Sequence, residues 1–572
     1  MDEFLSDDLI AGLKGTQDDD ARAALLFRNI LDSLPQEVRG PLFRLATPHW
    51  FNRDLLTRLV QRDSAFADLD AGVVDMLIVR GLASQNQAGT TFAIVEPLRR
   101  VVLAELVRDD LAAFRQQSHH FATAFAESGK SVADLVEQIY HRIGAAPETG
   151  ALLFDTALFL SGEPLFALDA VDRLVTVANE QNERGVLDEG CLAYLRYIRL
   201  LVPRLRAMIK QEPDEVRAIL ASAPDNPRFV AELDLRLSGD LLIVGGDLDE
   251  AAKRQDNAHA IFQKLGDARG IGETLRVAGR IALRHDEYAK ARSLFDDARA
   301  TFLKGNLTVA AAHCDRSVAE IDWLQGRLVE AERALTDALQ RFEAAGSHVA
   351  EANTRILIAQ ILALHARFDE ADVHARIAYE VFGAVKQRVG LAQSFKASGV
   401  ILFEQGLNAE AETALKQALQ LYPADGPGAA NCKMLLAATL TKLDRFPEAE
   451  ALLSEATEVF TRMRDRFSLS IAKRESGLLD ERRKLLPAAL QKLREAEAEF
   501  ASLPSPIEEA IAGVAAGRVA LALGFVPDLT ASDVIASAER AGQIFKDNDI
   551  PRRLGEAESL LAAIKAALVQ RA

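Results

Sequence analysis

Residues 279–302 read GRIALRHDEYAKARSLFDDARATF, and the spacing inside this stretch recurs along half the chain. Gly279 is followed 12 residues later by Ala291, seven later by Ala298 and four later by Phe302. The closing ring returns as Phe262, Phe302, Phe342, Phe382, Tyr422, Phe460 and Phe500, with five steps of 40 residues and one of 38. Four residues before each ring stands Ala258, Ala298, Ala338, Ala378, Ala418, Ala456 or Ala496, and seven before that Ala251, Ala291, Ala331, Ala371, Ala411, Ala449 or Ala489. Twelve residues further back the position is again small: Gly239, Gly279, Ala319, Ala359, Gly399, Ala437 and Gly477. Small side chains at fixed places on two successive helices let the axes approach, while a ring fills the next layer. Each period is therefore a helical hairpin, with its turn at sites such as Arg284-His285-Asp286, Gln325-Gly326-Arg327 and Gln405-Gly406. One hairpin cannot bury its own apolar face, so neighbours must stack into a solenoid.

The small residue, the alanine 12 later and the alanine 19 later resemble the tetratricopeptide repeat pattern, lengthened here to a period of about 40 residues. The resemblance implies an all-α fold, a right-handed α-solenoid of helical hairpins, and a concave groove of the kind that binds peptides. Five segments are expected: an acidic helical segment over 1–33, a winged-helix-like domain over 34–115, irregular helical repeats over 116–228, seven regular repeats over 229–503, and an atypical eighth hairpin with a capping helix over 504–572.

Composition narrows the class. The formal charge of −17 and pI of about 5.2 argue against nucleic-acid or membrane binding driven by bulk charge. Cys191, Cys314 and Cys432 are far apart and lack metal-ligand spacing, which fits a reducing compartment. The beginning Met1-Asp2-Glu3-Phe4 is acidic where a secretory signal is basic, so a cytoplasmic protein is expected.

Between Leu34 and Arg108 the pattern changes. Helices are expected around Pro35–Leu45, Phe51–Gln61 and Asp70–Arg80, then a hairpin pairing Gly81–Gln85 with Thr91–Val95. Three helices and a hairpin make a winged helix. The segments LPQEVRGPLFRLA, VVDMLIVRGLA, FAIVEPLRRVVLAEL, SHHFATAFAESG and VEQIYHRIGA resemble the region that follows the nucleotide-binding domain in STAND-class signal-transduction ATPases, including the bacterial maltose-regulon activator and its relatives. In that class a winged helix leads into a helical-repeat sensor arm. The ATPase domain itself has no counterpart here: AFAESGKS at 124–131 is the nearest approach to a phosphate loop, but it follows a helical pattern rather than a strand. It reads as a helix end at Gly129 and a new helix from Ser131.

Residues 1–130 carry 14 Lys plus Arg against 19 Asp plus Glu, and the candidate recognition helix holds Asp70 and Asp75 beside one arginine. A helix entering a major groove brings cations to the phosphates, so DNA contact is disfavoured. The domain reads instead as a packing unit or coupling joint.

On the first helix of each hairpin, positions six and three before the small residue and one and four after it share one face. This concave stripe contains Arg236, Arg276, Arg280, Arg316, Trp323, Asn353, Gln393, Lys396, Phe403, Asn431 and Arg474. Arginines offer planar donors to a carboxylate or phosphate, amides can hold an extended backbone, and Trp323 and Phe403 can seat apolar side chains. Asp240, Glu273 and Glu320 lie on the same stripe and offer those arginines salt bridges between repeats. No catalytic constellation, cofactor loop or metal-spaced histidine set is visible, since His119-His120 point apart on a helix and His365 and His374 straddle a turn. The expected function is a non-enzymatic scaffold or sensor arm, without cofactor or metal, that holds a protein or extended acidic peptide in regulation or signalling. A separately encoded ATPase or effector is one implied partner. The competing reading is a transcription regulator with a DNA-contacting winged helix and a signal-sensing array.

Overall fold

The computed structural model describes residues 16, 19–128, 131–161, 167–205, 213–244, 246–424, 426–525 and 529–571, in two units that divide near residues 205–225. In the first unit α1 (Asp19–Ser33), α2 (Gln36–Leu45), α3 (Arg53–Arg62) and α4 (Ala71–Val79) precede a two-stranded antiparallel hairpin of β1 (Ala83–Gln85) and β2 (Phe92–Ile94). The hairpin register pairs Ala83 with Ile94 and Gln85 with Phe92, and Phe51 adds an isolated bridge to Phe92. Local chemistry sets the helix starts. Asn52 accepts from the Leu55 N–H and Asp70 from the Val73 N–H, each satisfying a donor that the first turn leaves free. The core here gathers Leu42, Phe51, Leu55, Phe66, Leu77, Phe92, Leu98, Phe121 and Phe125. The order over this stretch is helix, bridge, helix, helix, hairpin.

The unit continues through α5 (Glu96–Asp109), α6 (Leu111–Ser128), α7 (Val132–Ala145), α8 (Ala151–Ser161), α9 (Ala167–Glu183) and α10 (Glu189–Leu205). Gly129 and Lys130 of the phosphate-loop lookalike lie outside the described residues, as do Asp18 and Gly162, and Asp2–Asp8 of the acidic start. Around them, α6 ends at Ser128, and Ser131 caps α7 in a reciprocal box with Asp134.

The second unit opens with α11 (Pro213–Ala221) and then repeats a hairpin: α12 (Pro227–Val244) with α13 (Leu248–Leu265), α14 (Ala268–Arg284) with α15 (Tyr288–Lys304), and α16 (Thr308–Leu324) with α17 (Leu328–Ala344). Next come α18 (His348–Leu364) with α19 (Phe368–Ala384), α20 (Arg388–Gln405) with α21 (Asn408–Leu421), α22 (Pro427–Lys442) with α23 (Phe446–Arg462), and α24 (Arg466–Arg482) with α25 (Leu486–Ser502). An eighth pair, α26 (Pro506–Leu523) and α27 (Ala531–Asp547), and a final α28 (Pro551–Arg571) complete an all-helical array. Three of the small residues do what their spacing implies. A Cβ at Gly279 would fall 2.7 Å from Phe295 of the facing helix, and Cβ atoms at Gly399 and Gly477 would meet Leu415 and Leu493 at 2.7 and 2.8 Å. The alanines and rings of the repeat ruler are buried throughout.

Successive superhelical turns of this array touch. Arg466 reaches Asp286 at 3.1 Å across 180 residues, four and a half 40-residue repeats, and Arg284 donates to the Met463 carbonyl. The Leu328 N–H donates to Asn548 at 2.9 Å, while Arg552 donates to the Glu404 carbonyl at 2.9 Å and its carboxylate at 2.8 Å. One apolar cluster spans this seam, joining Leu328, Ile356, Ile361 and Ile401 to Leu490, Ile507, Val514, Phe545, Ile550 and Ile564. Pro551–Arg571 is therefore tied to the fifth hairpin.

Candidate functional site

The stripe expected on the concave face divides by what each side chain already holds. Arg236 is buried against Asp240 at 2.8 Å. Arg276 donates to Glu273 through Nε at 3.0 Å and Nη2 at 2.5 Å, and Arg316 lies 3.9 Å from Glu320. The stripe's carboxylates do neutralise its arginines, within one helix rather than between repeats, because three- and four-residue neighbours stand closer than the next helix. Arg474 meets Glu475 at 2.9 Å and Glu508 of the following hairpin, with its guanidinium 5.9 Å from the Phe500 ring. Arg280 is half-buried and also engaged.

The two rings are used by the chain itself. Trp323 packs with Leu364, Phe467, Ile507, Ile550 and Arg553 around a cavity of about 40 Å³. Phe403 has the Arg552 guanidinium 5.9 Å from its centroid. The C-terminal ends of the third and fifth first helices are thus covered by the next superhelical turn.

The remainder of the stripe keeps free polar groups. Asn353 donates only to the Val349 carbonyl of its own helix, at 2.8 Å. Gln393, Lys396 and Asn431 are half-buried, and none has a hydrogen bond or ion pair with another described residue. Burial lowers the Lys396 ammonium below its ordinary range, and no carboxylate opposes that shift. His313, between these groups and the arginines, is pushed down to about 4 by burial and then by Arg316 and Arg276, so it stays neutral at pH 7. Glu273 remains ionised because the charges around it, led by Arg276, outweigh its burial.

Two features escaped sequence reading. One is the clasp of Arg552 and Arg553 on Glu404, whose members are about 150 residues apart and share no local pattern. The other is a polar knot in the first unit. His49 sits between Glu137 at 2.8 Å and Glu180 at 3.0 Å, and Arg99 binds Glu180 at 3.2 Å and the Tyr140 hydroxyl at 3.1 Å. The ring of His141 stacks on Phe121 and Phe125. Adjacent Tyr140-His141 was the only visible hint of it. On α3 and α4, Arg53 pairs with Asp75 at 3.0 Å and Arg58 with Asp54 at 2.5 Å, which leaves that face little unbalanced positive charge. The other histidines singled out have separate partners, His120 with Asp63 at 3.1 Å and His365 with Glu332 at 3.2 Å. Among the described residues no helix is long and apolar enough to cross a membrane.

Comparison with known proteins agrees with the repeat geometry. A family model described as tetratricopeptide repeat matches residues 389–462. The chain is 29% identical over 172 residues to the regulatory protein AfsR of Streptomyces griseus, a match covering 30% of this chain and 17% of that relative. Among solved structures, a signal transduction ATPase with numerous domains (STAND) protein with a tetratricopeptide repeat sensor, from Pyrococcus horikoshii, aligns at TM-score 0.50 and 14% identity, covering 79% of this chain and 67% of that one. The Rap conjugation gene regulator of plasmid pLS20, in complex with the Phr* peptide, aligns at 0.43 and 14% identity over 64% of this chain and 97% of that one, a score too low to argue from. Residues 389–462 thus match the tetratricopeptide repeat, and the fold of the chain is similar to that of a STAND protein with a tetratricopeptide repeat sensor.

Proposed function

We propose that this chain is a non-enzymatic regulatory sensor arm that holds a segment of a partner protein, or a peptide, inside the superhelix formed by its second to sixth hairpins. The observation that carries the reading is the division of the stripe. Its C-terminal ends are filled by the chain's own later hairpins, whereas Asn353, Gln393, Lys396 and Asn431 keep hydrogen-bonding capacity unspent by other parts of the chain. Unspent polar groups of this kind bind an extended backbone at small cost, since they need not first break internal bonds. The loosely paired Arg316 adds a cation beside them, which favours an anionic segment. An ATPase or effector is the partner class that fits a sensor arm of this kind.

The test places a photo-crosslinking amino acid at Asn353 within the hollow and, in a separate protein, at Lys416 on an outer helix. The capture reading expects a discrete crosslinked species from position 353 that position 416 does not give. Equal capture from both positions, or from neither, defeats it.

A further inference from the structure

The seam between superhelical turns joins two kinds of segment, the turn inside one hairpin and the loop that follows another. The hairpin turn at Arg284–Glu287 lies on the loop at Met463–Arg466. The next one, at Gly326, lies on the loop at Pro506, which a Cβ on Gly326 would meet at 2.7 Å. Burial follows this coverage. Three residues after the repeat ring, Met463 and Leu503 are 7% and 0% exposed under the seam. Leu265 and Val385 hold the same position on loops outside the seam and are 49% and 46% exposed. At the start of the second helix, Tyr288 and Leu328 are buried under the seam, whereas their equivalents Phe446 and Leu486 are half-buried. The array thus ends in two open half-seams, hairpin turns from its last repeats and loops from its first.

One pair of these open segments copies the joined pair residue for residue. In the seam Arg284 donates to the Met463 carbonyl and lies 3.9 Å from Asp465. By repeat position Arg482 stands for Arg284, Leu265 for Met463 and Asp267 for Asp465. The backbones agree too. Asp286 and Lys484 have φ of 58° and 66°, and Arg464 and Gly266 have 52° and 64°. The second ion pair of the seam is not repeated, since Lys484 replaces Asp286 and Ala268 replaces Arg466. In its stead Leu485, 50% exposed, takes the place of Glu287 and supplies the apolar surface that contact between separate molecules needs. The present partner of Arg482 is Asp444 at 2.6 Å, an exposed pair whose exchange costs little. An edge that repeats a contact already made within the chain is fitted in shape and charge by another copy of that chain. We propose that the protein associates head to tail, the turn Arg482–Leu485 of one copy docking on the loop Leu265–Asp267 of the next. The two patches differ, so the interface is heterologous and each docked copy keeps its other edge.

The test is sedimentation velocity of the full chain over about 1–100 μM, a range that spans ordinary self-association. Two variants each block one edge: Arg482→Glu with Leu485→Glu blocks the turn, and Leu265→Glu blocks the loop while keeping Asp267, which caps α14. The mean mass of the parent should rise with concentration, and each variant alone should associate about tenfold or more weakly. An equimolar mixture of the two should give a dimer and nothing larger, because one intact turn and one intact loop remain. Recovery of that dimer also shows that both variants are folded. Val385→Glu, equally exposed but outside the docking pair, should associate like the parent. Should Leu265→Glu melt below the parent, Leu265→Ser takes its place in the mixture. A parent that stays monomeric throughout overturns the proposal, and so does undiminished association of either variant. Variants that melt like the parent but give no dimer when mixed overturn the head-to-tail arrangement in favour of a symmetric contact. Equal weakening by Val385→Glu overturns the docking pair.

Discussion

Replacing Gly279 with alanine tests why the repeat has its ruler. The added Cβ would lie 2.7, 2.9 and 3.0 Å from three atoms of the Phe295 ring, which is wholly buried between hairpins. Carbon atoms prefer about 3.5–4.0 Å, so three contacts fall short by roughly half an ångström to one ångström and a rigid ring must be displaced. Overpacking of this kind costs about 1–3 kcal/mol. Against it stands the helix preference of alanine over glycine, about 1 kcal/mol, leaving a net loss of about 0–2 kcal/mol. Gly239 is the equivalent residue one repeat earlier, and there a Cβ meets nothing within 4 Å. Gly239→Ala therefore keeps only the preference and should stabilise its hairpin by about 0.5–1 kcal/mol.

The difference between the two variants isolates the close approach of the helices. Because a repeat array unfolds in nearest-neighbour steps, global melting is a poor readout, and hydrogen exchange of peptides from α12–α13 and α14–α15 is the better one. Under rapid reclosing, each 1.4 kcal/mol appears as about a tenfold change in protection. Protection should rise at the first pair in Gly239→Ala and stay level or fall at the second in Gly279→Ala. Equal gains in both would mean that the small positions do not set the spacing of the hairpin, and the argument from residue 279 to a solenoid would fail.

Glu404→Gln removes the carboxylate, about one-tenth exposed, that holds Arg552 and Arg553, and should loosen the last helix by about 2–4 kcal/mol; exchange across Pro551–Arg571 accelerating by less than threefold would contradict it. In the first unit, burial opposes the charge on His49, but Glu137 and Glu180 outweigh it and raise its pKa, so its contribution is full below about pH 6.5 and is lost as pH rises through the raised value. Burial likewise opposes ionisation of Glu137, yet His49 and His141 hold it down to about 2, so its contribution is present above about pH 4.5 and is lost on acidification toward 2. With Arg99, Arg184, Tyr140 and Glu180 as the other facing groups, protection of α7 should peak near pH 5–6 and weaken toward pH 9. His49→Gln should remove the alkaline limb and cost about 3 kcal/mol by leaving Glu137 buried without its cation; an unchanged pH profile would refute the assignment.

What the sequence disclosed and what it withheld follow from the range of the interactions. Ala258, Ala298 and Ala338 and the rings at 262, 302 and 342 repeat because each hairpin meets its neighbour in the same way, so the hairpin core was legible from spacing alone. The turns were legible as places but not as conformations. Ala366 and Lys386 adopt left-handed φ values of 56° and 53°, at a cost of about 1–2 kcal/mol each, because stacking of the flanking helices fixes the path between them. The seam was not legible at all. It depends on a small rotation accumulated over four and a half hairpins, and nothing near Trp323 or Phe403 announces that Ile550 and Arg552 will arrive there.

The same distinction bears on which residues of the stripe could serve a ligand under the capture reading. Residue type alone ranks the arginines first, since a guanidinium is the stronger and more directional donor. Yet a carboxylate approaching Arg276 must displace Glu273 from 2.5 Å, and the displaced Glu273 would then be a buried anion without its cation. The exchange swaps one ion pair for another and gains little. At Lys396 no carboxylate of a described residue would have to be displaced, so under the capture reading its charge is the more available of the two. Under the capture reading, the first hairpins, rich in arginine but internally balanced, are therefore expected to contribute shape more than strength.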